Sequence, residues 1–280
     1  MTTSQQDRAA AFAALHTAGT PLLLANAWDV ASAAVSVAAG ISAVATTSAG
    51  VAWGLGAPDG DALERGAAVD LIARVVSAVD VPVTADIESG FGATADGVAE
   101  TVRGVLAAGA VGVNVEDTHD GGLRSTAEQS DRLAAARSAA DAAGIALFIN
   151  ARTDTYLRGV GADGSTRFTE TVERAHAYLA AGASGIFIPG LTDLDVLARL
   201  VREIPAPVNA MVYPGAPTVG ELVPTGVARI SLGAAIAQSA YALVRRATAE
   251  LLERGTYESV ADALSWGELN SLLVRGKSVE

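Results

Sequence analysis

Short apolar runs alternate with longer amphipathic or alanine-rich segments along most of the chain. The apolar runs are typical of β-strands, and the segments between them are typical of helices that mostly end at a glycine. The phrase Ala-Ala-Gly-Ala/Ile recurs at 38–41, 107–110 and 180–183, each time where a helix gives way to a strand. The alternation predicts eight parallel strands, buried on both faces, in a (β/α)8 barrel. The predicted strands are 21–26, 43–47, 81–85, 111–115, 145–150, 185–188, 207–211 and 227–231.

The helical segments indicate one domain. Predicted helices are 5–18, 29–39, 63–79, 94–108, 125–143, 168–181, 193–204 and 234–254, with two shorter ones near 259–264 and 266–274. No Pro-, Gly- or Ser-rich linker divides the chain. We therefore predict a single α/β TIM-type barrel with an N-terminal helix over 1–254, and a C-terminal helical extension over 255–280. A doubly wound open sheet is the alternative, but no G-x-G-x-x-G follows the first strand.

The composition limits the classes of molecule that the protein could bind. The 280 residues carry a formal net charge of −12, which disfavours nucleic acid and anionic membrane as partners. An anionic substrate stays compatible, because a metal ion and one arginine can reverse the local potential. The absence of cysteine excludes disulfides, zinc–thiolate sites and a cysteine nucleophile. No secretory or transmembrane pattern is evident, so we expect a cytoplasmic protein.

The third strand ends in two acidic residues. Asp86 and Glu88 are two apart, so on an extended chain their side chains point the same way. Gly90 and Gly92 follow, and they allow a tight turn close to a ligand. Two carboxylates at the end of a buried strand repel each other unless they flank a cation, and an all-oxygen donor set favours Mg²⁺. The alternative is a strand followed by an ordinary polar turn.

Polar residues recur at the ends of the other strands. In a barrel these ends face one mouth, where chemistry takes place. The residues are Asn26, Trp28, Asp29, Thr47, Ser48, Asp86, Glu88, Glu116, Asp117, Arg152, Asp154, Asn209 and Ser231, with Asp59 in the loop after the second strand. Bringing several carboxylates and one arginine together in a buried site costs desolvation free energy unless the site binds a cation and an anion. A purely structural ion-pair network is the competing interpretation.

These motifs together resemble the isocitrate lyase/phosphoenolpyruvate mutase superfamily over about residues 21–239. The pieces are Asn-Ala-Trp-Asp at 26–29, Thr-Ser-Ala-Gly at 47–50, Asp-Ile-Glu-Ser-Gly-Phe-Gly at 86–92, Val-Asn-Val-Glu-Asp at 113–117, Asn-Ala-Arg-Thr-Asp at 150–154 and Pro-Val-Asn at 207–209. Each piece alone is weak, whereas the acidic motif and the Glu-Asp pair within one barrel are specific.

The resemblance implies a Mg²⁺ site, with Mn²⁺ as an alternative ion. Asp86 matches the direct metal ligand, and Asp59, Glu88 and Glu116 match carboxylates that hold the metal through water. An enolpyruvate-type oxyanion is formed or consumed in this family, and a divalent cation lowers its energy.

The same resemblance implies a site for a small-molecule carboxylate substrate. The matching positions are the backbone turn at Ser48, Ala49 and Gly50, the gripping arginine Arg152, the polar Asn209, and Trp28 and Asp29 as residues that shape the mouth. Family members form homodimers or homotetramers and exchange their last barrel helix between subunits. The segment 255–280 would suit that interface.

The loop after the fourth strand departs from the better-known branches. Residues 118–125, Thr-His-Asp-Gly-Gly-Leu-Arg-Ser, lack the cysteine of the lyases that split isocitrate or methylisocitrate. They also lack the lysine and the Asn-Ser pair of the phosphonopyruvate branches. Two proton donors remain as catalytic candidates, His119 in this loop and Tyr213 past the seventh strand. For His119 the alternative, which we favour, is an exposed loop histidine without a catalytic role. For Tyr213 the alternative is an aromatic residue that covers the rim of the barrel.

The resemblance implies a Mg²⁺-dependent lyase. Such an enzyme would cleave or form a C–C bond in a small 2-oxo or 2-hydroxy carboxylic acid through an enolpyruvate-type intermediate. P–C chemistry, as in phosphonopyruvate hydrolases and phosphoenolpyruvate mutases, is the first alternative. A non-catalytic oligomeric barrel is the second.

Overall fold

Parallel strands form a nearly closed barrel in the computed structural model, which describes residues 4–274. The barrel strands are β1 (Leu22–Leu24), β2 (Asn26–Ala27), β3 (Val44–Thr46), β4 (Val83–Asp86), β5 (Gly112–Glu116), β8 (Phe148–Arg152), β9 (Gly185–Ile188), β10 (Val208–Met211) and β11 (Arg229–Ser231). A separate antiparallel hairpin, β6 (Thr118–His119) and β7 (Gly122–Leu123), follows β5. The predicted α/β barrel is confirmed.

The first strand joins the two ends of the sheet. The strand order is β1-β11-β10-β9-β8-β5-β4-β3-β2, with neighbours parallel. β1 and β2 are separated by Ala25 alone, so they act as one interrupted strand that pairs with β11 on one side and β3 on the other. The eight predicted strands therefore correspond to the eight staves of the barrel.

Helices surround the barrel, and polar caps set where many of them begin. They are α1 (Gln5–Ala14), α2 (Val30–Ala38), α3 (Ser48–Gly54), α4 (Arg65–Ala78), α5 (Ala95–Ala107), α6 (Thr126–Ala142), α7 (Gly164–Ala180), α8 (Leu194–Glu203), α9 (Val219–Leu222), α10 (Ala235–Arg254) and α11 (Trp266–Val274). Short 3₁₀ turns lie at Val223–Thr225 and Glu258–Val260. In six helices the side chain of the residue just before the helix accepts a hydrogen bond from a backbone N–H of the first turn. These capping residues are Asp29, Thr94, Ser125, Asp163, Asp193 and Thr218.

Helix α1 closes the amino-terminal end of the barrel. Phe12 is fully buried and meets Phe148 edge to face, with ring centroids 5.7 Å apart. Its ring also lies so close to Gly112 that a Cβ there would stand 2.9 Å from a ring carbon. His16 stacks on Phe148 at 4.0 Å. With this end filled, the open end for chemistry is the carboxyl-terminal one.

Several boundaries differ from the sequence prediction. Helix α1 ends at Ala14 and not near residue 18, and α7 begins at Gly164, four residues before the predicted start. The cap explains the second difference, because Asp163 Oδ1 accepts the Thr166 N–H at 2.8 Å. Residues 48–50, predicted as a turn, open the short helix α3.

Helix α11, in the predicted C-terminal extension, packs against α2 of the same chain. In α10, which precedes the extension, the buried residues are Ala237 and Glu250. Residues 1–3 and 275–280, which belong to the predicted barrel segment and extension, lie outside the described residues. Between residues 4 and 274, the helices are too short or too polar to cross a bilayer.

Candidate active site

A cavity of about 440 Å³ opens at the carboxyl ends of the barrel strands. We call it the strand-end cavity. One side is lined by polar and charged residues at the ends of the first five staves, namely Asn26, Thr47, Ser48, Asp59, Asp86, Asn114 and Arg152. The predicted site residues Asp86, Asp59, Ser48, Ala49, Arg152 and Tyr213 all line this one cavity.

Asp86 ends β4 and is held by the preceding stave. Its N–H donates to Thr46 Oγ1 at 2.9 Å, and its Oδ2 accepts from the Ser48 N–H at 3.2 Å and the Ser48 hydroxyl at 3.0 Å. Ser48 is the first residue of α3, so free N–H groups of that helix face the carboxylate. Gly50 lets α3 approach, since a Cβ there would lie 2.8 Å from Trp28 Cβ and Thr47 Cγ2.

Glu88 is buried just past Asp86 in a strained conformation. Its φ is +52°, in the left-handed region that non-glycine residues seldom adopt. Its Oε2 accepts the N–H of Gly60 at 2.9 Å and the N–H of Asp61, whereas Oε1 is buried with no hydrogen-bond partner among residues 4–274. Burial raises the pKa of Glu88 to about 7. The hydrogen bond from the Asp61 N–H lowers this pKa, whereas the negative charges of Asp59 and Asp86 raise it further. Glu88 thereby holds the loop that carries Asp59.

Asp59 stands at the exposed rim of the strand-end cavity. Partial burial of its carboxyl group and the negative charge of Asp86 raise its pKa, while Arg152 opposes the shift. Asp59 therefore carries part of the excess negative charge of the site.

Arg152 ends β8 and is fixed by two carboxylates. Its Nε and Nη2 donate to the two oxygens of Asp154 at 2.7 and 2.8 Å, and its Nη1 pairs with Glu116 Oε2 at 2.6 Å. Burial alone would lower the pKa of Arg152, but these two carboxylates outweigh it and the pKa is raised. Burial raises the pKa of Glu116 to about 8 despite Arg152, helped by the charges of Asp154, Asp86 and Asp59.

Asp154 was not predicted to act, yet it organises this part of the site. It is fully buried, accepts the Thr118 hydroxyl at 2.5 Å, and its N–H donates to Asp117 Oδ1 at 2.9 Å. Asp117 is held in turn by the hydroxyl of Tyr178 at 2.8 Å. Asp154 thus ties Arg152 to the base of the β6–β7 hairpin. Its position two residues after Arg152 was the available signal.

The hairpin borders a second cavity of about 950 Å³, next to the strand-end cavity. His119 lines it, is half exposed and lies 3.3 Å from Asp120. Arg124 is buried, and its Nη1 pairs with Glu128 at 2.6 Å. Glu116 also lines this cavity, so the two cavities meet at the Glu116–Arg152 pair.

The remaining predicted residues lie in varied positions. Tyr213 is 42% exposed at the rim of the strand-end cavity. Asn209 lies inside the barrel, donating to Ser231 Oγ at 3.1 Å and accepting from Asn150 at 3.2 Å. Asp29 caps α2 through Ser32 N at 2.7 Å, and with Trp28 it lines a separate cavity beside that helix. Asn209, Trp28 and Asp29 are therefore outside the strand-end cavity in the part of the chain that is described.

Arg229 is a further charge beneath the site. It is buried inside the barrel, and its Nη2 donates to Asn114 Oδ1 at 3.2 Å. Asn114 is the register neighbour of Asp86 across β4 and β5. Burial lowers the pKa of Arg229 to about 9, opposed by Asp86, so the guanidinium stays charged at neutral pH. No sequence pattern distinguished this residue from an ordinary strand position.

The acidic residues fit a hard divalent cation held mainly through water. The donors are all oxygens, one of them the unpartnered Glu88 Oε1, and the carboxylates outnumber the guanidinium groups facing them. Across residues 4–274, no three acidic or histidine side chains converge closely enough to bind one ion directly. The arrangement suits one direct ligand and several outer ones, because Mg²⁺ keeps most of its waters.

Comparisons with known proteins agree with this geometry. The family model for phosphoenolpyruvate phosphomutase matches residues 12–252. The 2-methylisocitrate lyase of Escherichia coli (strain K12) is 30% identical over 273 residues, covering 91% of this chain and 88% of that protein. A crystal structure from Burkholderia cenocepacia J2315, described as a candidate lyase/mutase, is 38% identical with a TM-score of 0.87 and covers 95% of both chains. A phosphonopyruvate hydrolase in complex with oxalate and Mg²⁺ is 25% identical with a TM-score of 0.79, covering 95% of this chain and 94% of that one.

The fold and the strand-end arrangement define a barrel enzyme of lyase type. The chain belongs to the isocitrate lyase/phosphoenolpyruvate mutase superfamily, whose members are Mg²⁺-dependent C–C lyases and phosphoenolpyruvate mutase-type enzymes. The resemblance identified from the motifs is confirmed.

The raised pKa values predict how stability depends on pH. Between pH about 4.5 and 8, folded Glu88 and Glu116 retain protons that the unfolded chain has released. Without divalent cations, the unfolding free energy should therefore fall as pH rises from 6.5 to 8, by on the order of 2 kcal/mol. Below pH 6.5 buried His16, whose pKa is lowered to about 4, works in the opposite direction. Urea denaturation at pH 6.5 and pH 8 measures the fall.

In Glu116→Gln the unfolding free energy should fall less as pH rises, because one of the two groups no longer titrates. Mg²⁺ should restore stability at pH 8 in the native protein by binding the ionised carboxylates, and it should do so much less in Asp86→Asn. Stability that rises from pH 6.5 to pH 8, or equal Mg²⁺ stabilisation of Asp86→Asn, would contradict this interpretation.

Proposed function

We propose that this protein is a Mg²⁺-dependent lyase that cleaves or forms a C–C bond in a small 2-oxo or 2-hydroxy carboxylic acid. The reaction passes through an enolpyruvate-type intermediate, and decarboxylation is included in the class. The observation that carries the proposal is the single cavity in which Asp86, the Ser48 N–H and Arg152 face one another. An oxyanion needs this combination of a cation site, a backbone donor and a guanidinium.

Each residue would have a defined task. Asp86 would ligate the cation, with Glu88, Glu116 and Asp59 as outer acceptors for its waters; Mn²⁺ is an alternative ion. When bound, the cation supplies positive charge beside the 2-oxo group. Arg152, held in place by Asp154, would orient the substrate carboxylate.

Ser48 and Ala49 would serve the developing oxyanion. Both residues lie in the first turn of α3, where backbone N–H groups have no intrahelical acceptor. For proton transfer, Tyr213 is better placed than His119, because its side chain lines the strand-end cavity whereas His119 lines the neighbouring one. Tyr213 Oη would hold the proton that the enolate takes up.

P–C bond chemistry is the second candidate. The matching family model is that of phosphoenolpyruvate phosphomutase, and a phosphonopyruvate hydrolase is among the similar structures. The residues of the hairpin oppose it, because 118–125 contain no lysine to meet a phosphoryl group and the arginine there, Arg124, is buried and paired with Glu128. The same residues contain no cysteine, which opposes the isocitrate-splitting activities.

The test is a substrate panel followed by proton and phosphorus NMR. Purified protein with Mg²⁺ is incubated with oxaloacetate, other 2-oxo and 2-hydroxy acids, isocitrate and phosphonopyruvate. We expect Mg²⁺-dependent release of a 2-oxo acid from a phosphorus-free substrate, with a rate at least about 100-fold lower in Asp86→Asn, because the direct ligand of the cation is lost. Tyr213→Phe should lower kcat more than KM if its hydroxyl holds the proton.

Two outcomes would overturn this proposal. Phosphate or phosphoenolpyruvate as the product would favour the second candidate. Turnover that survives in Asp86→Asn would remove the cation site from the mechanism.

We also infer that the chain associates into a homodimer or a homotetramer. Val244 and Leu252 on α10 and Trp266 on α11 are 62%, 80% and 82% exposed, and a second copy of the chain would bury these apolar side chains. Light scattering should give a mass of two or four times 28.1 kDa. Leu252→Asp should shift the protein towards monomer, whereas Glu253→Asp on the same helix should not. A monomeric native protein would contradict the inference.

A further inference from the structure

The turn that follows β8 borders two cavities. Leu157 lines the strand-end cavity, and the next residue, Arg158, lines the neighbouring cavity, which we call the hairpin cavity because the β6–β7 hairpin forms part of its wall. The two cavities meet at the Glu116–Arg152 pair. A ligand whose carboxylate head lies at Asp86 and Arg152 can therefore extend past this pair towards Arg158.

The backbone of this turn is fixed in place. The Arg158 N–H donates to the carbonyl oxygen of Asp154 at 2.8 Å. Gly190, at φ +83°, lets the turn approach the end of β9, since a Cβ there would lie 2.9 Å from Leu157 Cα. The position of the Arg158 backbone is thereby tied to Asp154, the residue whose carboxylate also orients the Arg152 guanidinium.

Two buried acidic residues place three arginines at this end of the barrel. Asp154 holds the Arg152 side chain and the Arg158 N–H, and the carbonyl oxygen of Asp117 accepts the Arg124 N–H at 2.8 Å. The Asp154 N–H donates to Asp117 Oδ1 at 2.9 Å and so joins the two acids. Because β5 and β8 are neighbouring staves, Arg124 and Arg158 line the hairpin cavity next to the arginine that we assign to the carboxylate head.

Arg158 has its guanidinium available for a ligand. Its side chain is exposed, and among residues 4–274 it forms no ion pair. Arg124 is 7% exposed and pairs with Glu128 through Nη1, whereas its Nε is buried without a hydrogen-bond partner in the described part of the chain. The guanidinium of Arg124 is therefore only partly satisfied, and its positive charge adds to that of Arg158.

The hairpin cavity also has acidic side chains on its wall, namely Asp61, Glu64, Glu116 and Asp120. Glu116 is paired with Arg152, and Asp120 lies 3.3 Å from His119. Within the described ranges of the chain, none of the four forms an ion pair with Arg158. These acids leave the Arg158 guanidinium open to an anion from outside.

A second carboxylate on the substrate is also what the proposed reaction needs. In a decarboxylation this group leaves as CO₂, and the electron pair of the broken C–C bond forms an enolate that then takes up a proton. In cleavage beside a 2-hydroxy centre, a base takes the hydroxyl proton as a carbonyl forms there, and the electron pair enters the second carboxylate until the departing carbon is protonated. In both cases the carboxylate has to be oriented relative to the breaking bond, and an arginine on a fixed backbone supplies that orientation.

We propose that Arg158 binds a second carboxylate of the substrate in the hairpin cavity. The substrate class is then a 2-oxo or 2-hydroxy acid with two carboxylates, one held at Asp86 and Arg152 and the other at Arg158. This assignment rests on the proposed function, because it assumes where the carboxylate head lies. Arg158 is the residue that determines specificity for the far end of the substrate.

The test compares acids that differ only at their far end. 2-Oxovalerate and 2-oxoglutarate have equal chain length and end in a methyl and a carboxylate; racemic 2-hydroxybutyrate and malate form a second pair, one carbon shorter. Dissociation constants are measured by calorimetry with Mg²⁺, with oxalate as a ligand that has the head alone. We expect oxalate to bind, and the diacid of at least one pair to bind at least about tenfold more tightly than its methyl counterpart.

A variant tests Arg158 itself. Arg158→Gln removes the charge at an exposed position and keeps a polar side chain. It should reduce the preference for the diacid to within about threefold, while oxalate, which lacks the second group, should bind within about twofold of its native affinity. The matched control Arg103→Gln removes the same charge from the exposed face of α5, away from both cavities, and should retain the native preference.

The outcomes separate this proposal from the proposed function. Oxalate binding without a diacid preference in either pair would overturn the role of Arg158 and leave the proposed function standing. A preference that persists in Arg158→Gln, or that Arg103→Gln loses to the same extent, would overturn that role as well. A lack of Mg²⁺-dependent oxalate binding would overturn both proposals.

Discussion

Excess negative charge at the open end of the barrel is the constraint on which the rest of the site depends. Asp59, Asp86, Glu88, Glu116 and Asp154 meet there, against the guanidinium of Arg152 and the more distant Arg229. Burial makes the imbalance costly, and the raised pKa values of Glu88 and Glu116 are its direct consequence. When these carboxyl groups are ionised, a bound cation would neutralise the cluster and stabilise the folded protein. The stability of the site is thereby linked to its chemistry.

The fold holds Asp86, Glu88 and Asp154 by pairing each with a fixed donor. The Ser48 N–H meets Asp86 from the start of a helix, and the N–H groups of Gly60 and Asp61 meet Glu88. The backbone of Glu88 adopts a left-handed conformation where it meets these N–H groups. The surrounding structure must stabilise this local strain. Arg152 receives its orientation from Asp154, which also binds Thr118. Arg152 and the β6–β7 hairpin therefore share one buried carboxylate.

The sequence predicted the barrel because buried parallel strands and glycine-terminated helices leave a strong local pattern. It also predicted Asp86, Arg152 and Ser48 at one mouth, since strand ends in a barrel converge. It could not separate Asp29 as a helix cap from a mouth residue, because both roles favour an acid after a strand. The orientation of Asn209 into the barrel depends on the register of β10 with its neighbours. Such features arise from tertiary contacts and leave no local signature.

The central claim is that Asp86 marks a cation site at which a 2-oxo carboxylate group binds. A crystal structure with Mn²⁺ and oxalate, with anomalous data collected at the manganese edge, tests it most directly. The account predicts one strong anomalous peak about 2 Å from an Asp86 carboxylate oxygen, with oxalate between the ion and Arg152. A peak elsewhere on the molecule, or oxalate bound with no ion at the strand ends, would contradict it.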